Sequence, residues 1–309
     1  MENKNIFQKT IFVVIFAFIC CSLWGSAFPC IKTGYAMMNV AGSDYQSQIL
    51  FAGIRFFLAG ILVIIFGSIS GKKLMVPEKS ALPKIFVLSM LQTVIQYMFF
   101  YMGMAHTAGA KGSIISGCGG FVTIIIACIF MSDEKMNKGK IIGCILGFAG
   151  LILVNLNGLE MSFEMNMNGE GFLMISMISA SFSSMFIKIF SQKENPVLLS
   201  GYQFTLGGFI ILCFGIGLGG HLEITGIGCI LLIIYMALIS SVAYTLWGIL
   251  LKHNPVSKVA IFNFLIPVMG VILSGIILNE KIFSATTIIA LILVSIGIYA
   301  VNMEKEKSA

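Results

Sequence analysis

Residues 121–155 read FVTIIIACIFMSDEKMNKGKIIGCILGFAGLILVN, and this stretch decides the fold. It consists of two apolar runs joined by a short charged link at Glu134 and Lys135. A similar stretch, PVMGVILSGIILNEKIFSATTIIALILVSIGIYAVN, occupies residues 267–302 and has its own link at Glu280 and Lys281. Because the module recurs 146 residues later, we predict two homologous halves, residues 1–157 and 158–309.

The composition of the chain is that of a membrane protein. Of its 309 residues, 58% are hydrophobic and only 10% are charged, and the mean hydropathy is +1.00. A soluble domain usually carries about a quarter charged residues. The net charge of +6 does not indicate a nucleic-acid partner, because the lysines lie between apolar runs and form no basic surface with interleaved aromatic residues.

Ten apolar runs have the length of a membrane-spanning helix, which needs about 20 residues. The connections between them are short, so we predict an all-α integral membrane protein without an inserted soluble domain. The predicted spans are residues 11–31, 48–68, 83–104, 111–131, 138–156, 169–189, 197–217, 224–250, 256–278 and 284–303.

The distribution of lysines predicts the orientation of these spans. Fifteen lysines lie in the termini and in the alternate connections on the same side, whereas three lie on the other side. Cytoplasmic loops are enriched in Lys and Arg, so we expect both termini in the cytoplasm. Each half then has five spans, and the second half enters the membrane from the opposite side. We therefore predict two inverted five-helix repeats around a central cavity, an architecture common in transporters.

Short motifs in both halves resemble those of the EamA family of the drug/metabolite transporter superfamily. WGSAFPCIK begins at Trp24 in the first span, RFFLAG begins at Arg55 in the second, and the Glu-Lys link joins the fourth span to the fifth. In the second half the pattern recurs as FSSMFIK from Phe182, QFTLGG from Gln203, and LIPV to LNEK from Leu265. The motifs are mostly helix-packing and loop residues, so they identify a family better than a substrate.

The resemblance covers nearly the whole chain and implies a ten-helix basket. In that arrangement the third, fourth, eighth and ninth spans face the cavity, and the fifth and tenth are peripheral. The family's proline near the start of the fourth span is present in the second half as Pro267, but Phe121 stands at the matching position of the first half. The two gates are therefore expected to differ.

The resemblance also implies transport, because family members export amino acids and other metabolites and some import solutes. We expect a multipass plasma-membrane transporter that exports amino acids or similar small metabolites. An exporter of drugs or organic cations, or an importer of metabolites, is the alternative within the superfamily. An intramembrane enzyme or a membrane scaffold is the alternative of another class. We predict no enzymatic activity, because no clustered His/Glu or paired-Asp motif lies at membrane depth.

Polar and aromatic residues within the apolar runs are the candidates for solute binding, because polar groups in lipid tend to face a cavity or another helix. Aromatic walls with a few amides suit a neutral or zwitterionic organic solute. Interhelical hydrogen bonding and packing are the alternative roles of the same residues. The predicted cavity residues are Trp24, Ser26, Arg55, Gln92, Gln96, Tyr97, Tyr101, Gln203, Tyr244, Trp247 and Asn263, and the predicted gating residues are Pro29, Gly119, Gly120 and Pro267.

Arg55 is the only arginine and lies inside the second predicted span. A charge at that depth needs a partner. A substrate carboxylate is one candidate, and helix-end carbonyls or external water are the others.

The remaining sequence features concern energy coupling and cofactors. Proton-coupled pumps usually need a membrane-embedded carboxylate, and no Asp or Glu lies inside an apolar run, so we expect alternating access as a facilitator or exchanger. No GxxxxGK[ST] motif and no metal-ligand spacing of Cys or His occurs, so we expect no cofactor and no metal. Membrane lipid and a small-molecule solute are the expected partners. No obligate protein partner is indicated, and we expect a monomer or a weak dimer.

Overall fold

A computed structural model describes residues 6–106, 115–155, 166–278 and 285–303. These residues form helices and connections, and no strand occurs among them. The all-α class predicted from the sequence is thereby confirmed. The ten helices of the described chain are α1 (Thr10–Met37), α2 (Tyr45–Ser70), α3 (Leu82–Leu88, Ser89–Ile95 and Gln96–Ala105), α4 (Gly119–Phe130), α5 (Lys138–Asn155), α6 (Phe172–Phe190), α7 (Pro196–Gly217), α8 (Ile227–His253), α9 (Val256–Ala260, Ile261–Phe264 and Leu265–Leu278) and α10 (Ala285–Met303).

The helices agree with the predicted spans to within a few residues, apart from the ends of α1 and α4. Within the described ranges, six helices are long and apolar enough to cross a membrane, and shorter apolar helices accompany them. The first helix extends to Met37, beyond the predicted end at Ile31. The helix is longer than the apolar run because Lys32 ends the run but is itself a good helix former. The predicted start of the fourth span, residues 111–114, lies outside the described residues.

The third helix contains a π-helical segment, Ser89–Ile95, at its centre. A wider helical turn leaves backbone carbonyls available to neighbouring helices. Two serines of α6 use carbonyls in and next to this segment: Ser179 Oγ donates to Leu91 O at 2.7 Å, and Ser176 Oγ donates to Gln96 O at 2.7 Å. These bonds fix α6 against the stretch of α3 that carries Gln92 and Gln96.

The second helix of each half packs directly on its counterpart. Glycines recur every seven residues along the contact, at Gly53, Gly60 and Gly67 on α2 and at Gly201, Gly208 and Gly215 on α7. A Cβ atom at Gly53 would lie 2.5 Å from Leu212 N, and one at Gly215 would lie 2.6 Å from Leu50 Cα. The backbones therefore touch. Early residues of α2 meet late residues of α7, so the two helices are antiparallel.

The fifth helix of each half also packs antiparallel to its counterpart. A Cβ atom at Gly150 in α5 would lie 2.9 Å from Ala290 O near the start of α10, whereas Gly143 packs against Gly297 and Val301 near its end. Small residues allow such close approach of helices in membranes. In both pairs, helices at matching positions of the two predicted halves run in opposite directions, as the prediction of inverted repeats requires.

The largest apolar cluster of the described chain closes the end of the bundle that carries the N-terminus. Helices that start or finish at this end contribute its buried side chains, among them Val13, Leu88, Ala127, Leu250 and Val256. The link between α4 and α5 seals the same end, because Glu134 is only 2% exposed and reaches the start of α9.

Candidate substrate cavity

A cavity of about 220 Å³ lies inside the bundle, and seven helices line it. They are α1, α2, α3, α4, α6, α8 and α9. No lining residue comes from the described parts of α5 or α10, the two helices that the family resemblance placed at the periphery, or from those of α7. Its volume is below the ~300–1,000 Å³ typical of pockets for drug-sized ligands, so the cavity in this conformation fits a small solute.

Most of the predicted cavity residues meet at this site although they are far apart in the sequence. Nine of the eleven line the cavity: Trp24, Arg55, Gln92, Gln96, Tyr97, Tyr101, Tyr244, Trp247 and Asn263. The structure thus brings them together around one space. Their role in binding a solute stays a prediction.

Aromatic rings from α1, α3 and α8 form one wall of the cavity. The ring of Trp24 packs edge-on against Tyr244 and Trp247, with centroid distances of 4.8 and 5.0 Å. Tyr97 approaches the same group from α3, and its hydroxyl lies 2.5 Å from that of Tyr244. Edge-to-face contacts fix the orientation of each ring. This wall is therefore a fixed apolar surface with hydroxyl groups at one side.

Arg55 places a positive charge at the cavity. Its side chain is only 3% exposed, and its Nε donates a hydrogen bond of 2.9 Å to Ser240 Oγ in α8. Its Cζ lies 5.0 Å from the ring centroid of Phe56, within the range of a cation–π interaction. It is the only charged residue among those that line the cavity in the described chain.

Two predicted cavity residues lie outside the lining, because their polar groups bond to neighbouring helices. Ser26 Oγ donates to Leu23 O at 2.8 Å and lies 3.2 Å from the Tyr235 hydroxyl. Gln203 is fully buried between α3 and α7, where its Nε2 donates to Gln92 Oε1 and its Oε1 accepts from Thr93 Oγ1. Both fit the alternative role in interhelical hydrogen bonding, and we leave them out of the proposed site.

The predicted gating residues fall into two groups. Gly119, Gly120 and Pro267 line the cavity, and a Cβ atom at Gly120 would lie 2.9 Å from Ala260 O in α9. Pro29 does not line it, but lies buried inside α1, where it has no N–H to donate to the preceding turn. A gating role stays a prediction at all four positions.

The sequence did not single out the serines of α6. Ser176, Ser181, Ser183 and Ser184 all line the cavity, and Ser181 Oγ accepts a hydrogen bond of 2.9 Å from Thr123 Oγ1 in α4. Ser181 and Ser184 are three residues apart and Ser176 and Ser183 are seven apart within SMISASFSSM, so each pair lies on one face of the helix. That periodicity was the available signal, but single serines are common in membrane helices and each alone carries little information.

One acidic residue is more buried than its place in the sequence indicates. Glu170 lies in the π-helical turn Met167–Gly171 that precedes α6, and it is only 5% exposed. Its Oε2 accepts a hydrogen bond of 2.7 Å from Asn166 N. The expectation that no carboxylate lies within the membrane spans therefore needs a correction at this edge position. Glu170 does not line the cavity.

No group of three His, Cys, Asp or Glu side chains converges in the described ranges. The fold and the cavity together define the class: a multipass integral membrane protein with a small central cavity lined by helices of both halves. The family follows from comparison with known proteins. A model of the EamA-like transporter family matches residues 11–156 and 167–303, and the chain belongs to this family.

Its similarity to curated proteins extends over nearly its full length. It is 27% identical to an uncharacterized transporter of Archaeoglobus fulgidus, over 91% of this chain and 95% of that protein. It is 24% identical to the uncharacterized transporter YvbV of Bacillus subtilis, over 96% and 93%. The WAT1-related protein At3g02690 of Arabidopsis thaliana, described as chloroplastic, is 22% identical over 90% of this chain and 66% of its own length.

The fold is also that of a solved structure. A protein crystal structure with 13% sequence identity superposes with a TM-score of 0.78, over 96% of this chain and 99% of the other. At that identity the likeness shows the fold alone.

Proposed function

We propose that the protein carries amino acids or similar small metabolites across the plasma membrane, in the export direction, by alternating access as a facilitator or exchanger. The observation that carries the proposal is the cavity, which helices of both halves line in a chain of the EamA-like transporter family. The names of the relatives indicate transporters. A transporter needs no catalytic group, and membrane lipid and the solute are its only proposed partners.

The position of the cavity supports alternating access. The residues of α1 that line the cavity lie in the middle and the C-terminal part of the helix, away from its N-terminal end; they are Trp24, Ala27, Phe28 and Ile31. The largest apolar cluster fills that end. A cavity closed on one side is one of the two states that inverted repeats exchange. With cytoplasmic termini, as the lysines predict, this state is closed towards the cytoplasm.

The proposed orientation has a direct test. A fluorescent protein fused to either terminus is expected to fluoresce, and an alkaline phosphatase fused there is expected to be inactive. An active phosphatase at either end would contradict cytoplasmic termini.

The function is tested by profiling metabolites in the medium of cells that overexpress the chain. Cells that overexpress the Trp24→Leu variant carry the same membrane load and are the control. One or a few small metabolites are expected to accumulate around cells with the wild-type protein alone. Selective depletion of a solute would favour the importer alternative. Identical media, followed by absence of flux across a broad solute panel in proteoliposomes, would remove the transport proposal.

A further inference from the structure

The charge of the cavity carries an inference about the solute, which rests on the proposed function. Arg55 is only 3% exposed. Its Nε donates a hydrogen bond to Ser240, and the Tyr101 hydroxyl is a second neutral partner of the guanidinium. A guanidinium has five N–H donors, so most of its donor capacity is left for other partners.

No carboxylate of the described chain balances this charge. Two ion pairs of the described chain join Lys84 to Glu194 and Lys140 to Glu134, and both lie at helix ends or in links, away from Arg55. The cavity lining contains no Asp or Glu. An uncompensated buried charge is strongly unfavourable. An anion that enters the cavity therefore removes an electrostatic penalty that a neutral or cationic solute leaves in place.

A second hydrogen-bond donor of the cavity, the indole of Trp24, lacks a partner. Trp24 lines the cavity, and its Nε1 is buried and has no hydrogen-bond partner in the described structure, whereas the Tyr101 hydroxyl already faces Arg55 and Tyr35. An indole N–H can only donate, and a phenol readily donates. This set is suited to an acceptor-rich, negatively charged group.

The apolar residues of the lining indicate the character of the part of the solute that carries no charge. Phe28, Phe100, Met177, Ile266 and Trp247 form apolar walls. They suit a solute body that is aliphatic or aromatic. An ammonium group finds only neutral acceptors, such as the side chains of Gln96 and Asn263, among the described lining residues.

We propose that Arg55 holds the carboxylate of the solute, with Trp24 as a further donor, and that the cavity prefers small monocarboxylates with an apolar body. A monoanion neutralises the single positive charge of the lining, whereas a zwitterion leaves the net charge unchanged and a cation increases it. The order of preference for solutes of one size is therefore anion, zwitterion, neutral amide, amine. This order separates the site from that of an organic-cation exporter.

The chain supplies its own probe for this test. Its two tryptophans, Trp24 and Trp247, both line the cavity, so the intrinsic tryptophan fluorescence reports on the cavity alone. We would titrate purified protein with phenylpropionate, phenylalanine, phenylpropionamide and phenethylamine, which share a body and differ in charge. Phenylpropionate is expected to bind about 10- to 100-fold more tightly than its amide, the range for a charge-assisted hydrogen bond.

Three variants assign the preference to Arg55. Arg55→Gln is expected to remove the difference between phenylpropionate and its amide, and Arg55→Lys to keep part of it. Lys193→Gln removes a cation from an exposed position outside the cavity and is expected to keep all of it. The wild-type titrations decide the question even where Arg55→Gln fails to fold.

Three results would each overturn the inference. The wild-type protein binds phenylpropionate and its amide equally, it binds none of the four probes, or Arg55→Gln keeps the wild-type preference. The proposed function fails in a different measurement. It fails if a solute that binds is not exchanged across the membrane of proteoliposomes.

Discussion

Glu134, in the link between α4 and α5, accepts hydrogen bonds from both the hydroxyl and the backbone N–H of Ser257 at the start of α9, at 2.5 and 3.2 Å. Lys140 donates to the same carboxylate at 2.8 Å. Glu134 belongs to the first predicted half and Ser257 to the second. The contact therefore joins the halves at the end of the bundle that is closed.

Removal of the Glu134 charge is expected to destabilise the protein. Glu134 and Lys140 are 2% and 5% exposed, and loss of one partner of a buried ion pair costs about 3–5 kcal/mol. We expect Glu134→Gln to lower the melting temperature of the detergent-solubilised protein by more than Glu194→Gln does. Glu194→Gln breaks the more exposed pair with Lys84, for which about 0–1 kcal/mol is expected. Equal effects of the two variants would contradict the role given to Glu134.

The same carboxylate predicts a dependence of stability on pH. Burial raises the pKa of Glu134, but hydrogen bonds from Lys140 and Ser257 outweigh burial and hold the pKa below its usual value of 4.5. A lowered folded-state pKa stabilises above the unfolded-state value, and the contribution is lost as the pH falls through the folded-state value. The difference in melting temperature between wild type and Glu134→Gln should therefore be full above pH 4.5 and shrink below it. A difference that grows on acidification would refute this assignment.

The glycine contact between α2 and α7 predicts a position-dependent effect of added side chains. A Cβ atom at Gly208 would overlap Phe57 N in α2, whereas one at Gly217 in the same helix meets nothing within 4 Å. Gly208→Val is expected to prevent folding or to lower the melting temperature strongly, because two backbones must separate. Gly217→Val is expected to behave like wild type in size-exclusion chromatography and thermal unfolding. A tolerated Gly208→Val would show that the contact is not tight.

Proton coupling is expected to be absent. The cavity lining has no carboxylate in the described chain, and the buried Glu170 lies at the edge of α6 outside the lining. Proteoliposomes with an imposed proton gradient and no solute gradient should therefore not accumulate solute, and Glu170→Gln should leave exchange unchanged. Accumulation that disappears in Glu170→Gln would establish coupling through that residue.

The sequence predicted most of the fold because one physical requirement dominates it. A bilayer demands about 20 apolar residues per helix, so the spans are visible without the structure. The orientation that the lysines indicate stays a prediction. The antiparallel packing of α2 on α7 agrees with the opposite directions that the count of spans predicts for these two helices.

The site was predicted less completely, since the face that a residue presents depends on packing between distant segments. Gln203 and Gln96 look alike in sequence, but Gln203 bonds to Gln92 and Thr93 while Gln96 lines the cavity. The bonds of Glu134 to Ser257 link residues 123 positions apart and leave no periodic signal. The repeated link at Glu134 and Lys135 likewise did not indicate that Lys140 is the ion-pair partner of Glu134.

The central claim is that the solute passes through the cavity walled by Trp24, Tyr244 and Trp247. Counterflow in proteoliposomes, with the solute that metabolite profiling identifies, tests it most directly. Trp247→Leu is expected to lower the exchange rate at limiting solute by about tenfold or more, since a buried aromatic contact is worth about 1.5–3 kcal/mol. Tyr299→Leu changes a ring that is 62% exposed on α10 and should exchange at the wild-type rate. Equal exchange by wild type and Trp247→Leu would contradict the account.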